Sequence, residues 1–169
     1  MGDSKQAILL RRWLWSLFVL AVILFIFSNA AQPASDSALQ SQKVHTWVNR
    51  ALNGAGIDIS LTPHIIRKLA HAVEYALLGV CLLMALRAWT RHTLSYLSGP
   101  LLIGLLVPVL DETIQLRTQG RSGEIADVLL DFLGVIFGLA CTHAVVLLHR
   151  LIRLMHRQTD VLPQPNTNS

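Results

Sequence analysis

Charge is scarce in this chain. Asp, Glu, Lys and Arg supply 14% of its 169 residues, where a soluble domain carries about 25%. The deficit falls in long apolar runs, which excludes an ordinary soluble domain and points to lipid as the solvent. Cysteine is nearly absent too. Cys81 and Cys141 both lie inside apolar runs, so neither a disulfide framework nor a zinc site is available, and the two read as small packing residues. The chain also has no nucleophile motif, no phosphate-cradling glycine loop, no paired histidines at zinc spacing and no internal repeat. Its formal net charge is +4, but the basic residues flank apolar segments, as in proteins oriented in a membrane. No nucleic-acid partner is expected.

What is present is four apolar runs, at 9–27, 69–88, 94–116 and 125–148. Each is long enough to cross a hydrocarbon core of about 30 Å. The third contains Gly99, Pro100 and Pro108, so a kinked helix is expected there, its freed backbone groups met by neighbours. The first has Lys5, Arg11 and Arg12 around its start, and Ser28-Asn29-Ala30 has the small residues of a signal cleavage site. Its length, and Trp13 and Trp15 as interfacial anchors, read instead as a retained span. Between the first two runs, Val44, Trp47, Val48, Ala51 and Leu52 recur at helical spacing. They predict an amphipathic helix of roughly four turns, on the membrane surface or packed on the top of the bundle, stopped by Asn53-Gly54-Ala55-Gly56. Thr62-Pro63 starts the second span. The fold class is therefore an all-α membrane protein: four transmembrane helices plus an external amphipathic interfacial helix. Residues 1–160 form a single transmembrane domain, and 161–169 a disordered polar tail.

Orientation follows from the basic residues. Lys5, Arg11, Arg12, Arg87, Arg91, Arg150, Arg153 and Arg157 fall on one side, with few acids among them. Lys43, Arg50, Arg67, Lys68, Arg117 and Arg121 fall on the other, interleaved with acids. The first set marks the cytoplasm, which places both termini there.

Six of the ten acids lie in or at the edge of these spans: Glu74, Asp111, Glu112, Glu124, Asp127 and Asp131. A charge at the bilayer centre costs several kcal/mol, roughly 2.5–3.5 on insertion scales, so such groups face a bundle interior. At about 100° per residue, Arg67, His71, Glu74, Tyr75 and Leu78 share one stripe. Asp111 and Gln115 share another, with Glu112 beside it and Gly104 and Pro108 continuing inward. Glu124, Asp127 and Asp131 line a third, which continues through Gly134 and Gly138, a small-xxx-small pair for close helix approach. The directions of the spans bring all three stripes to the outer half of the membrane. Arg121 is expected to turn back over this mouth toward Asp127 and Glu74, with Ser122 capping the fourth helix.

These residues, in this order, resemble the VanZ-like membrane protein family. The resemblance is carried by Phe27-Ser28, Gln32-Pro33 and Ser37, by Arg67-Lys68-Leu69-Ala70-His71 with Glu74-Tyr75 and Leu78-Gly79, by Asp111-Glu112 with Gln115, and by Gly120-Arg121-Ser122, Asp127, Gly134 and Gly138. It implies a four-helix, multi-pass protein of the bacterial cytoplasmic (inner) membrane. The family's founding member is associated with low-level resistance to teicoplanin, a lipoglycopeptide that binds cell-wall precursors. Two positions depart from the family's habit: Ile114 stands where histidine is frequent, and Asp131 where asparagine is common. One imidazole fewer and one carboxylate more alter the chemistry of the site.

Two functions fit this cluster. In the first, Arg67, Lys68 and Arg121 face the headgroup of a membrane lipid or lipid-linked cell-wall precursor. Arginine suits bidentate phosphate recognition, and carboxylates hold the guanidinium groups in place. The alternative is an intramembrane metal-dependent or acid–base enzyme acting on a lipid-linked phosphate. There His71, Glu74, Asp111 and Glu112 are the candidate ligands of a divalent cation, or Asp127 joins them in proton transfer. The absence of a nucleophile motif favours the first.

Overall fold

The computed structural model describes residues 2–57, 59–121 and 123–159, with side chains given for 5–156 outside those gaps. The described residues fold into helices without strands. These are α1 (Gly2–Ala30), α2 (Ala34–Gly54), α3 (Pro63–Trp89), α4 (Ser98–Gln115) and α5 (Ile125–Thr159), with a 3₁₀ turn at Leu94–Tyr96. Three are long and apolar enough to cross a membrane: α1 from Lys5, α3, and α5 to His156.

Local chemistry sets the ends. The Thr62 hydroxyl accepts the Ile65 amide at 3.3 Å, and Pro63 opens α3 where its missing N–H costs nothing. Pro33 precedes α2, and Gly56, at φ +74°, ends it. That left-handed turn returns the Ala55, Gly56 and Ile57 amides onto Ala51, Asn53 and Leu52 carbonyls. α2 is longer than the four turns predicted, because its first half is a polar helix without apolar periodicity. Likewise α4 starts later than the apolar run, after the 3₁₀ turn, and its 18 residues reach about 27 Å. The tail 161–169 lies outside the described residues.

The bundle alternates direction. α1 is antiparallel to α3: Arg12 Nε donates to the Ala88 carbonyl at 3.2 Å, while Asn29, at the other end of α1, meets Glu74. α3 and α5 run parallel, since Lys68 meets Asp127 and His71 meets Asp131. α4 must therefore travel back along them. It does so with Gly104 against Val135 and Val107 in the shared core. That core is small: Ile26, Tyr75, Leu78, Leu82, Leu83, Val107, Val135 and Leu139. Outside it, Val73, Leu77, Leu102, Leu106, Val109, Leu133, Phe137 and many others are exposed. A soluble monomer does not expose such a continuous apolar surface, and here it forms the lipid-facing exterior.

Candidate functional site

The three predicted stripes meet where α3 and α5 begin and α4 ends. α3 contributes Lys68, His71, Glu74 and Tyr75 to the inner side, with Arg67 exposed at its rim. α4 buries Asp111, Glu112 and Gln115. α5 brings Asp127 half-buried and Asp131 fully buried, whereas Glu124 stays exposed just ahead of the helix. Arg121 reaches in from the α4–α5 loop. Ser122, read as the α5 cap, lies outside the described residues.

The pairing differs from the sequence expectation. Asp127 receives Lys68 Nζ at 2.7 Å, and Glu74 accepts Asn29 Nδ2 at 3.1 Å, so Arg121 pairs with neither. Gln115 Nε2 donates to Asp111 Oδ2 at 2.9 Å and to Glu112 Oε1 at 3.3 Å. Glu112 Oε2 accepts the Glu124 backbone amide at 3.0 Å, which ties the α4–α5 loop to α4. His71 Nδ1 stands 3.9 Å from Asp131 Oδ2, and its ring stacks over Tyr75 with centroids 6.5 Å apart. The Tyr75 hydroxyl lies beside Asp111 without completing a hydrogen bond, and Asp111 Oδ1, Asp131 Oδ2 and Arg121 Nε are likewise buried without a hydrogen-bond partner among the described residues. Buried polar atoms are satisfied in the great majority of native sites. Four exceptions among the described residues cluster here, which singles this place out as the candidate site.

Two cavities open here. One, of about 140 Å³, is lined by Arg67, Lys68, His71, Glu112, Arg121, Asp127 and Asp131. The other, of about 130 Å³, lies toward α1 and α2 and is lined by Asn29, Gln32, Ser37, Glu74, Arg67, His71 and Arg121. Each is some ten times the roughly 10–15 Å³ that one water needs. Arg67, His71 and Arg121 line both cavities. Burial, chiefly, and then neighbouring Arg67 pull the Arg121 guanidinium below its ordinary value, while Asp111 and Glu112 oppose them. Arg67 makes no hydrogen bond or ion pair among the described residues.

Among the candidate cation ligands, Glu74 and Glu112 are engaged elsewhere. The group that comes together is His71, Asp111 and Asp131, with one ligand atom from each all within 4.8 Å.

Sequence reasoning gave no site role to Asn29, and named Gly120 only as part of the family pattern. Asn29 shares a face of α1 with buried Ile26 and Ala30, so an amide on the apolar stripe was the available signal. Gly120 lines the first cavity in a left-handed turn, φ +76°, where a side chain would be strained. Removing the Asn29 amide leaves Glu74 partly buried without its donor. Asn29→Ala is expected to destabilise the bundle by roughly 1–3 kcal/mol, and thermal melting in detergent checks it; no loss would mean that Glu74 is solvated from the cavity.

The chain matches the VanZ/LLP1 family over residues 14–148, a stretch that contains every site residue named above. No curated protein and no solved structure matches it.

Proposed function

The chain belongs to the VanZ/LLP1 family, and from that premise we propose that it binds the phosphate-bearing headgroup of a membrane lipid or lipid-linked envelope precursor between Arg67 and Arg121. The observation carrying this reading is the Arg121 Nε, buried without a partner on the wall between two cavities that Arg67 also lines. A guanidinium offers a planar fork of donors that matches phosphate oxygens, and the nearby charges of Asp111 and Glu112 favour its charged form. Lys68 is committed to Asp127 and acts as rim structure. Mass spectrometry of lipid co-purified in mild detergent tests the reading. A phosphomonoester- or diphosphate-bearing lipid should accompany the native protein and be lost from Arg121→Gln. Equal lipid in both would remove Arg121 from the proposal.

The reading includes a placement. α4 serves as a fourth crossing, since parallel α3 and α5 need a return path, and α2 lies at the interface beside the mouth. The site end faces out of the cytoplasm of a bacterial inner membrane. Its support is the opposite end, where Arg87, Arg150 and Arg153 gather and Arg12 stacks over Trp89 at 5.2 Å, the pattern of a cytoplasmic face. A reporter active only outside the cytoplasm should be silent when fused after Ser169 and active when inserted after Gly56. The reverse result would invert the orientation.

A further inference from the structure

We infer that His71, Asp111 and Asp131 form a binding site for a divalent transition-metal cation, a site that does not depend on the headgroup reading. The His71 Nδ1 to Asp131 Oδ2 distance, 3.9 Å, is too long for a hydrogen bond. It is within the roughly 4.2 Å that can separate two donors sharing one ion at about 2.1 Å each. Asp111 supplies the third donor, all three lying within 4.8 Å of one another, so a small inward adjustment completes the set.

The state of the two carboxyl groups is the second observation. Asp111 and Asp131 are each 1% exposed, and among the described residues neither Asp131 Oδ2 nor Asp111 Oδ1 has a completed hydrogen bond, the Tyr75 hydroxyl only approaching Asp111. A buried oxygen with nothing to accept from is costly unless a cation takes the place of the donor. The other oxygen of Asp111 is fixed by Gln115 at 2.9 Å, the supporting hydrogen bond that orients a ligating carboxylate.

Charge points the same way. Glu74, Glu112, Asp127 and Asp131 line the two cavities with Arg67, Lys68 and Arg121, and Asp111 joins them through Gln115. Acids outnumber bases there, which favours a bound cation. One imidazole with two carboxylates suits Zn²⁺, Mn²⁺ or Fe²⁺ better than Mg²⁺ or Ca²⁺, which prefer oxygen alone. Because His71 and Asp131 also line the first cavity, the ion keeps a coordination position open toward it.

The test is Mn²⁺ titration of the full chain in detergent after chelator treatment, with free Mn²⁺ followed by electron paramagnetic resonance. The native protein should bind a single ion per chain, and Mn²⁺ should raise its melting temperature. Asp131→Asn, which keeps the shape, and His71→Gln should each weaken binding about 100-fold or more, beyond what loss of a supporting residue does. His143→Gln, on the far part of α5, should bind as the native protein does. No binding by the native protein up to about 1 mM, or unchanged binding by Asp131→Asn and His71→Gln, would overturn the site. The first of these outcomes needs no variant to fold.

Discussion

Gly138→Leu is expected to break the α3–α5 interface and cost more than about 3 kcal/mol, above the usual range for overpacking a core. A Cβ at Gly138 runs into the Ala76 carbonyl oxygen, and one at Gly79 runs into that of Val135. At Gly134 it would stand 3.0 Å from the Ala72 oxygen and 3.1 Å from Tyr75 Cβ. Apart from Tyr75 Cβ these are backbone atoms of a neighbouring helix, and none of them can swing aside as the end of a long side chain does. Small residues let the backbones approach, and in lipid that packing replaces the hydrophobic drive. Thermal melting in detergent measures the loss. Gly99→Ala is the control, since a Cβ there meets nothing within 4 Å. If Gly138→Leu melted like the native protein, the face of α5 assigned to α3 would be wrong.

Glu112→Ala should have the next largest effect, roughly 2–3 kcal/mol, as expected for losing a buried acceptor with more than one donor. One of its oxygens takes the Glu124 amide at 3.0 Å and the other faces Gln115 at 3.3 Å. The residue thus fastens the loop that carries Arg121 to the end of α4. Without it, Glu124 N–H loses its partner and the loop loses its anchor. Glu112→Gln keeps an acceptor toward Glu124 and should recover most of the stability. Amide hydrogen exchange at Glu124 gives a local readout: faster in Glu112→Ala, near native in Glu112→Gln. Equal protection in all three proteins would contradict this role.

The inner faces of the helices were legible because burial follows helical period. Asp111, Gln115, Gly104 and Pro108 share a stripe in the sequence, and all four are buried; Asp131, Gly134 and Gly138 behave likewise. Partner choice was not legible. Whether Asp127 meets Lys68 or Arg121 depends on how far one helix slides along the next, and that offset is set by contacts such as Gly138 on Ala76 and Gly79 on Val135. Periodicity carries no information about it. Asn29 was hidden for a related reason: α1 reaches Glu74 only through the antiparallel packing. The first half of α2 escaped because its residues are mostly polar and carry no apolar rhythm to read. The number of crossings was only partly legible, since α4 mixes an apolar centre with two prolines, Asp111 and Glu112 and falls outside the set of helices that qualify by length and composition.

Whether a phosphate group is held between Arg67 and Arg121 can be read from a lipid titration. The native protein in detergent would be titrated with short-chain phosphatidate and, separately, with short-chain phosphatidylcholine. Phosphatidate should bind at least tenfold tighter, and Arg121→Gln should remove the preference, as losing a charge-assisted hydrogen bond of about 1.5–3 kcal/mol requires. Equal binding of the two lipids, or a phosphatidate preference that survives Arg121→Gln, would contradict it.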